Sequence, residues 1–200
     1  MDLDVIKDFK TIAQMAHDNA IAKGFWDDEI KHDKRRNDGE MISLIHSEVY
    51  ELYEALLCPN RLSRKLAEQH IYEFEEEVAD IVIRLSDMVL RRGWDISNEF
   101  ETENLFYHQV IQQLANLENL PHYHMLRANL ICNFFHTCLG QVTEALREPQ
   151  PPVDAICQAF ASMVQMVAYL EITYDFNINH AIALKLKYNT ARPHMHGKQF

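Results

Sequence analysis

Apolar residues recur every three or four positions along most of the 200-residue chain, which is the spacing of side chains on one face of an α-helix. A first helix, predicted to run to about residue 23, carries on one face Val5, Phe9, Ile12 and Met15. The same pattern predicts further helices at about 40–57, 64–92, 105–117, 124–147 and 153–174, and a last one from about residue 179. No segment shows the sustained alternation of apolar and polar residues that a half-buried strand requires. The pattern therefore predicts an all-α fold, a bundle of antiparallel helices.

Glycine, proline and polar residues mark the predicted helix ends. Gly24 and Gly93 stand just past a periodic segment, where a left-handed backbone often ends a helix. Pro59 and the proline-rich run 149–152 interrupt the pattern between helices. The charge-dense segment 25–40 is predicted to connect two helices rather than to form one.

Several residues recur at matching places in the two halves of the chain. His46 to Leu56 aligns with His136 to Leu146 at an offset of 90 residues, and His, Glu, Ala and Leu coincide. The following helix aligns at an offset of 82 residues, which sets Gly93–Ile96 against Asp175–Ile178. We therefore predict an internal duplication. A chance likeness between two helical hairpins is the alternative.

Two pairs of acidic residues, Glu48 with Glu51 and Glu77 with Asp80, are spaced three positions apart within predicted helices. Residues at i and i+3 share a helix face, so antiparallel packing of the two helices would bring four carboxylates together. Because four uncompensated negative charges repel, a hard divalent cation with a preference for oxygen ligands, typically Mg²⁺, is the natural counter-ion. The pattern predicts that these four residues are both metal ligands and catalytic residues. Solvated acidic helix faces are the alternative.

The predicted duplication leaves one such site. It sets the four acids opposite four residues that are not acidic, namely Cys138, Gln141, Ala159 and Ser162. The second half would then have lost every metal-binding acid. We therefore predict one composite active site in the chain.

Composition narrows the class of protein. The formal net charge of −11 argues against a protein that binds the backbone of a nucleic-acid polymer. The 4 cysteines show no metal-binding spacing and suggest the free thiols of a reducing compartment. The amino terminus lacks the features of a signal peptide, and no uninterrupted apolar run approaches the roughly 20 residues that span a bilayer. These features predict a cytoplasmic location and no membrane partner.

The spacing of the acids resembles that of the MazG-like superfamily of all-α nucleoside triphosphate pyrophosphohydrolases. ExxE and ExxD are separated here by 25 residues, between Glu51 and Glu77. The segment Gly24-Phe-Trp-Asp-Asp28 before the acids and the tail from Lys185 to Lys198, with its N-x-x-R-P motif, are also similar to that family. Residues 97–123 match no part of it. The chain departs from single-unit relatives, because the acids lie in its first half and the tail in its second.

The resemblance implies a domain organisation and a cofactor. We expect residues 1–200 to form one all-α domain, with 1–104 as a MazG-like half that carries the acidic site and 105–200 as a degenerate half that carries the basic tail. The resemblance implies two Mg²⁺ ions per site, with Mn²⁺ as a substitute, and cleavage of a nucleoside triphosphate between its α- and β-phosphates. It also allows a homodimer.

Residues of the tail and of the aromatic segment are candidate substrate-binding groups. Lys185, Asn189 and Arg192 share one face of the last helix and, together with Lys198, offer three cations and an amide to phosphate oxygens. A basic helix end followed by an irregular tail is the alternative. Trp26 is predicted to stack on the base, with a hydrophobic plug as the alternative.

Three further residues lie near the acids in the sequence, and each has an expected position in the bundle. His46 is expected to pack in the bundle or to lie behind the ligands. Glu76 is expected to be solvated, because it points about 100° away from Glu77 on the helix. Asp87 lies seven positions after Asp80 and is expected on the same face.

These observations together favour a magnesium-dependent enzyme that converts (d)NTP to (d)NMP and pyrophosphate and acts on the nucleotide pool. A narrow dUTPase- or dCTPase-like enzyme is the nearest alternative. A nucleotide sensor without catalysis is the alternative of another class. The sequence singles out no residue that reads the base.

Overall fold

Helices account for nearly all of the regular structure in the computed structural model, which describes residues 5–102, 104–117 and 122–197. Among these residues there are eight α-helices and no β-strand, which confirms the all-α prediction. The helices are α1 (Phe9–Ala22), α2 (Asp27–His32), α3 (Asp38–Leu56), α4 (Glu73–Arg92), α5 (Leu105–Asn116), α6 (Tyr123–Leu146), α7 (Val153–Tyr174) and α8 (Ile178–Ala191).

Two predicted boundaries are wrong. The segment 25–40 contains the short helix α2 and the start of α3, where the Asn37 side chain accepts a hydrogen bond from the Glu40 backbone N–H at 3.2 Å. The helix predicted from about residue 64 begins only at Glu73. Its first part is a loop that closes on itself through the Ser63 N–H and the Ile71 carbonyl at 2.8 Å. Three acidic residues in the first turn of α4 favour this later start, because they complement the positive end of the helix dipole.

Two antiparallel hairpins, α3–α4 and α6–α7, form the centre of the bundle and pack together through α3 and α6. The antiparallel course of the first hairpin places the end of α4 at the start of α3, where Arg92 Nε lies 2.7 Å from Asp38 Oδ1. Helices α1 and α8 cover α4. Among the largest fully buried side chains are Trp26, Phe134, Phe135 and Phe160. This arrangement surrounds the acidic face of α4 with three other helices.

Contacts between the two halves are reciprocal. His46 and His136, which the alignment pairs, meet where α3 packs on α6, with their Nδ1 atoms 2.7 Å apart. The residue after the left-handed end of α4, Trp94, contacts Phe160 of α7 at 6.0 Å between ring centroids. Phe176, after the left-handed end of α7, contacts Phe74 of α4 at 5.4 Å. An approximate two-fold axis would produce this exchange. The duplication, with its halves 1–104 and 105–200, stays a prediction.

Helix α7 is apolar over most of its length and lies in the core of the bundle. By length and composition it is long and apolar enough to cross a membrane, with a mean hydropathy of 1.4 over its apolar window. However, 61% of that window is buried inside the protein, where α7 packs against α6. Burial against neighbouring helices accounts for its apolar composition without a bilayer.

Candidate metal centre and cavity

A cavity of about 190 Å³ opens between α1, α3, α4 and α8. Six of the predicted site residues line it, namely Glu48, Glu51, Asp80, Lys185, Asn189 and Arg192. Residues from opposite ends of the sequence therefore meet at one place, as the resemblance implied for acids and tail. Lys198 lies outside the described residues.

Three of the four predicted metal ligands converge. One carboxylate oxygen from each of Glu48, Glu51 and Glu77 lies within 4.8 Å of the others. Glu48 and Glu77 are buried, whereas Glu51 is exposed at the cavity. Asp80 does not join this group, because its Oδ2 atom lies 2.6 Å from the Lys185 ammonium. Helical spacing explains the convergence, since each pair sits on one face and α3 and α4 pack antiparallel.

The buried carboxyl of Glu77 has little compensation for a negative charge, because the Lys65 ammonium lies 3.8 Å from its Oε1 atom, beyond hydrogen-bond distance. Glu77 is only 3% exposed, and its Oε2 atom has no hydrogen-bond partner among the described residues. Burial, aided by the neighbouring Asp80 carboxylate, raises the pKa of Glu77 to about 9. Burial also raises the pKa of Asp80; Lys185 opposes that rise, and Glu48 adds to it. A cation that prefers oxygen ligands would satisfy the orphaned Oε2 atom and restore the ionised form of Glu77. The three carboxylates of the cluster therefore fit a hard divalent metal.

Glu76 is not solvated, contrary to the sequence prediction. It is 1% exposed and accepts hydrogen bonds from Ser63 and Lys185, while the Lys65 ammonium lies 2.9 Å away. Burial alone would raise the pKa of Glu76, but these partners, Lys185 foremost, lower it. Burial alone would lower the pKa of Lys65, but its bond to Glu76 and the nearby acids raise it. The loop that precedes α4 supplies Ser63 and Lys65, and it is the segment that the sequence pattern had predicted as helix.

Lys185, which is predicted to bind phosphate, lines the cavity, but its ammonium already has carboxylate partners. The side chain is buried, and its Nζ atom forms ion pairs with Glu76 and Asp80. In the metal-free protein Lys185 therefore neutralises acids, and it is not a free phosphate-binding cation. Arg84 plays a similar part, with its Nε atom 2.7 Å from Glu48 Oε1. Its position four residues after Asp80, on the same face of α4, was a usable signal that the sequence analysis missed.

Asn189 presents an unsatisfied amide to the cavity. It lies one helical turn after Lys185 on α8, is 6% exposed, and its Oδ1 atom has no hydrogen-bond partner among residues that the structure describes. A buried amide oxygen without a partner is costly unless a ligand satisfies it. Arg192 follows at the end of α8, with its guanidinium 6.0 Å from the Tyr188 ring centroid. Both residues line the cavity, and their role in substrate binding stays a prediction.

Trp26 cannot stack on a base in this structure, so its predicted role is corrected. The residue is 0% exposed, and its Nε1 atom donates a hydrogen bond to Asp87 Oδ1 at 2.8 Å. Three guanidinium groups lie within 5.3 to 5.6 Å of its ring, those of Arg36, Arg91 and Arg92. Its N–H is satisfied and its faces are covered, which is the usual state of a core tryptophan. The neighbouring Phe25 lines the cavity instead.

His46 packs in the bundle, which is one of the two positions expected for it. Its ring stacks on that of His136 at 4.9 Å between centroids. Burial lowers the pKa of both imidazoles, and His136 lowers that of His46 further. The pair therefore favours the neutral state, in which one ring can donate to the other.

Comparisons of the chain with models of protein families, with curated proteins and with solved structures give no match. The likeness to the MazG-like superfamily therefore stays an expectation that rests on the motifs.

Proposed function

We propose that the protein is a magnesium-dependent pyrophosphohydrolase that cleaves nucleoside triphosphates of the nucleotide pool to monophosphates and pyrophosphate. The observation that carries this proposal is the cluster of Glu48, Glu51 and Glu77, in which the Glu77 Oε2 atom has no partner among the described residues. Glu48 and Glu51 of this cluster line the same cavity as Asn189. A polyanionic triphosphate cannot approach these carboxylates without a cation between them. Acids and cavity together therefore support a metal-bridged phosphate site.

Glu48, Glu51 and Glu77 would hold the metal, and Asp80 would join them when Lys185 turns to another partner. Bound magnesium supplies Lewis acidity at the phosphoryl group and lowers the pKa of a coordinated water. The full set of four carboxylates is the one that the family resemblance implies for two ions.

The cations around the acids serve two states of the site. Without metal, Lys185 and Arg84 offset the charge of Asp80 and Glu48. When bound metal neutralises the acids, Lys185 and Arg84, which line the cavity, bind the phosphate oxygens instead. Arg192 adds a further cation at the cavity wall. Glu51 is the exposed acid of the cluster, so it is the carboxylate that a cavity water reaches, and we assign it as acceptor of the water proton.

Magnesium affinity should depend on pH because of Glu77. Its pKa of about 9 means that the metal-free protein holds a proton there at neutral pH, and metal binding must displace it. We expect the apparent affinity for Mg²⁺ to rise about tenfold per pH unit between about pH 6 and 8, with release of one proton. Calorimetry in buffers of different ionisation enthalpy measures both quantities. An affinity that does not change with pH would contradict the assignment of Glu77 as a ligand.

A panel assay tests the reaction class. The protein is incubated with canonical and damaged nucleoside triphosphates, with magnesium or with chelator, and pyrophosphate release is measured. A single strong substrate among dUTP and dCTP would favour the narrow alternative. Magnesium-dependent stabilisation by nucleotides without turnover would favour the sensor. The homodimer and the cytoplasmic location stay predictions.

A further inference from the structure

One end of the cavity lies away from the acid cluster and is built differently. Asp87 lines it, two helical turns after Asp80 on α4 and therefore about 10 Å further along the helix. The sugar and base of a nucleotide span a comparable distance beyond the α-phosphate. A nucleotide with its α-phosphate at the acids would therefore place its base near Asp87.

The Asp87 carboxylate is held in a fixed orientation. Its Oδ1 atom accepts from Trp26 Nε1 at 2.8 Å and from His17 Nδ1 at 2.6 Å. Trp26 is fully buried and His17 is nearly so, and their rings meet edge to face at 5.7 Å between centroids. Both hydrogen bonds end on the same oxygen. Within the described ranges, Oδ2 accepts no hydrogen bond, so Asp87, which lines the cavity, keeps one oxygen as an acceptor for a ligand.

The cavity that Asp87 lines has small and apolar residues in its wall as well as the charged Arg36 and Arg84. Ala16 and Ala20 of α1, Ile83 of α4 and the Phe25 side chain line the same cavity, and small or apolar residues leave room for a base. The orphaned amide oxygen of Asn189 supplies a second polar group that a ligand would satisfy. Polar groups fixed beside an apolar surface are what confers specificity on small-molecule sites.

We propose that Asp87 determines base specificity by accepting a hydrogen bond from an exocyclic amino group, so that the site selects nucleotides with a 4-aminopyrimidine or 6-aminopurine base over their oxo counterparts. This inference rests on the proposed nucleotide site. A carboxylate offers acceptors only, and an oxo group at the same place of the base would face it with a second acceptor. Such a site rejects the oxo base because two acceptors are left without a proton between them.

Binding of matched pairs of nucleotides tests the inference apart from catalysis. The probes are α,β-methylene analogues of dCTP and dUTP, and of dATP and dITP, which differ at the amino or oxo position and resist cleavage between the α- and β-phosphates. In the presence of magnesium, we expect the wild-type protein to bind the amino member of at least one pair about 10- to 100-fold more tightly, as measured by calorimetry. Equal affinity within both pairs would overturn the inference.

Asp87→Asn is the decisive variant, because asparagine keeps the Oδ1 acceptor for His17 and Trp26 and replaces only the cavity-side oxygen by a donor. We expect it to lose or reverse the amino preference. Asp18→Asn, at an exposed position of α1 outside the cavity lining, should keep it. An unchanged preference in Asp87→Asn would overturn the inference. Should that variant fold poorly, a 2-pyrimidinone analogue, with hydrogen in place of the 4-amino group, should bind to the wild-type protein more weakly than the dCTP analogue, and equal affinity of these two would overturn the inference.

The remaining outcomes separate this inference from the proposed reaction. If none of the analogues binds, both the base site and the nucleotide site are wrong. If the amino preference is present but no natural triphosphate releases pyrophosphate, Asp87 keeps its role and the proposed hydrolysis is wrong. If pyrophosphate is released from amino and oxo substrates with equal efficiency, the hydrolysis stands and the role of Asp87 is wrong.

Discussion

Replacing Glu77 by Gln should lower pyrophosphate release about a thousandfold while making the metal-free protein more stable. The loss of activity follows from the loss of one metal ligand, which removes several kcal/mol of transition-state stabilisation. The gain in stability follows from the pKa of Glu77, which is about 9 in the folded protein against an ordinary value of 4.5. Between these values folding must take up a proton, so the stability of the wild-type protein falls as pH rises through this range. The Gln variant has no such dependence at this site.

The stability gain should reach the order of 2 kcal/mol at pH 8, or a melting temperature about 4–8 °C higher. Thermal unfolding in chelator at pH 6, 7 and 8 would measure it, and the advantage of the variant should grow with pH. Glu54→Gln is the matched control, since Glu54 is exposed on α3 and lies outside the cavity lining. Full activity in Glu77→Gln, or a lower stability than wild type at every pH, would rule out the assignment of Glu77.

The neighbouring substitution, Glu76→Gln, should have the opposite effect on stability. Glu76 is ionised and buried, and it is the common partner of Lys185, Lys65 and Ser63. Its replacement leaves the buried Lys185 ammonium with Asp80 as its remaining ion-pair partner among the described residues. Removing one partner of a buried ion pair typically costs about 3–5 kcal/mol. Urea unfolding in chelator at pH 7 would measure this loss, and we expect a lower midpoint with an unchanged slope.

A comparison of the two variants controls for their shared chemistry. Both exchange a glutamate for glutamine at adjacent positions of α4, so helix propensity and side-chain volume change equally. The difference in sign should therefore report on the partners of each carboxyl alone. If Glu76→Gln is as stable as the wild-type protein, the network of Ser63, Lys65 and Lys185 does not hold Glu76 as an ionised group.

Helical periodicity predicted the fold because each long helix has one apolar face that packs against another helix. The prediction failed in the loop before α4, where contacts with other segments determine the backbone conformation. Leu66 and Ile71 are buried in the loop before α4, where the backbone is held by the Ser63–Ile71 hydrogen bond. Ile71 lies three positions before Phe74 and seven before Val78, so the helical apolar spacing of α4 extends into the loop. The tertiary contacts of these side chains determine the loop, and no local pattern encodes them.

The candidate site shows the same contrast between what helix geometry determines and what contacts with distant segments determine. The i, i+3 spacing of Glu48 with Glu51 placed both on the cavity side of α3, since helix geometry alone fixes which side chains share a face. Glu76 was misjudged because its burial depends on Lys185, which is 109 residues away. Trp26 was misjudged for a similar reason, because its partner Asp87 lies on another helix. Contacts between distant segments determine which acids are charged and which aromatic residues are accessible.

The most direct test of the central claim is the identity of the products. The wild-type protein and Glu77→Gln are incubated with dCTP, dATP and the substrates found in the panel, with magnesium and with chelator, and ³¹P NMR follows the phosphates. We predict that the wild-type protein forms monophosphate and pyrophosphate in equal amounts with magnesium only, and that Glu77→Gln forms neither. Release of orthophosphate and a nucleoside diphosphate, turnover in chelator, or no turnover despite magnesium binding would contradict the account.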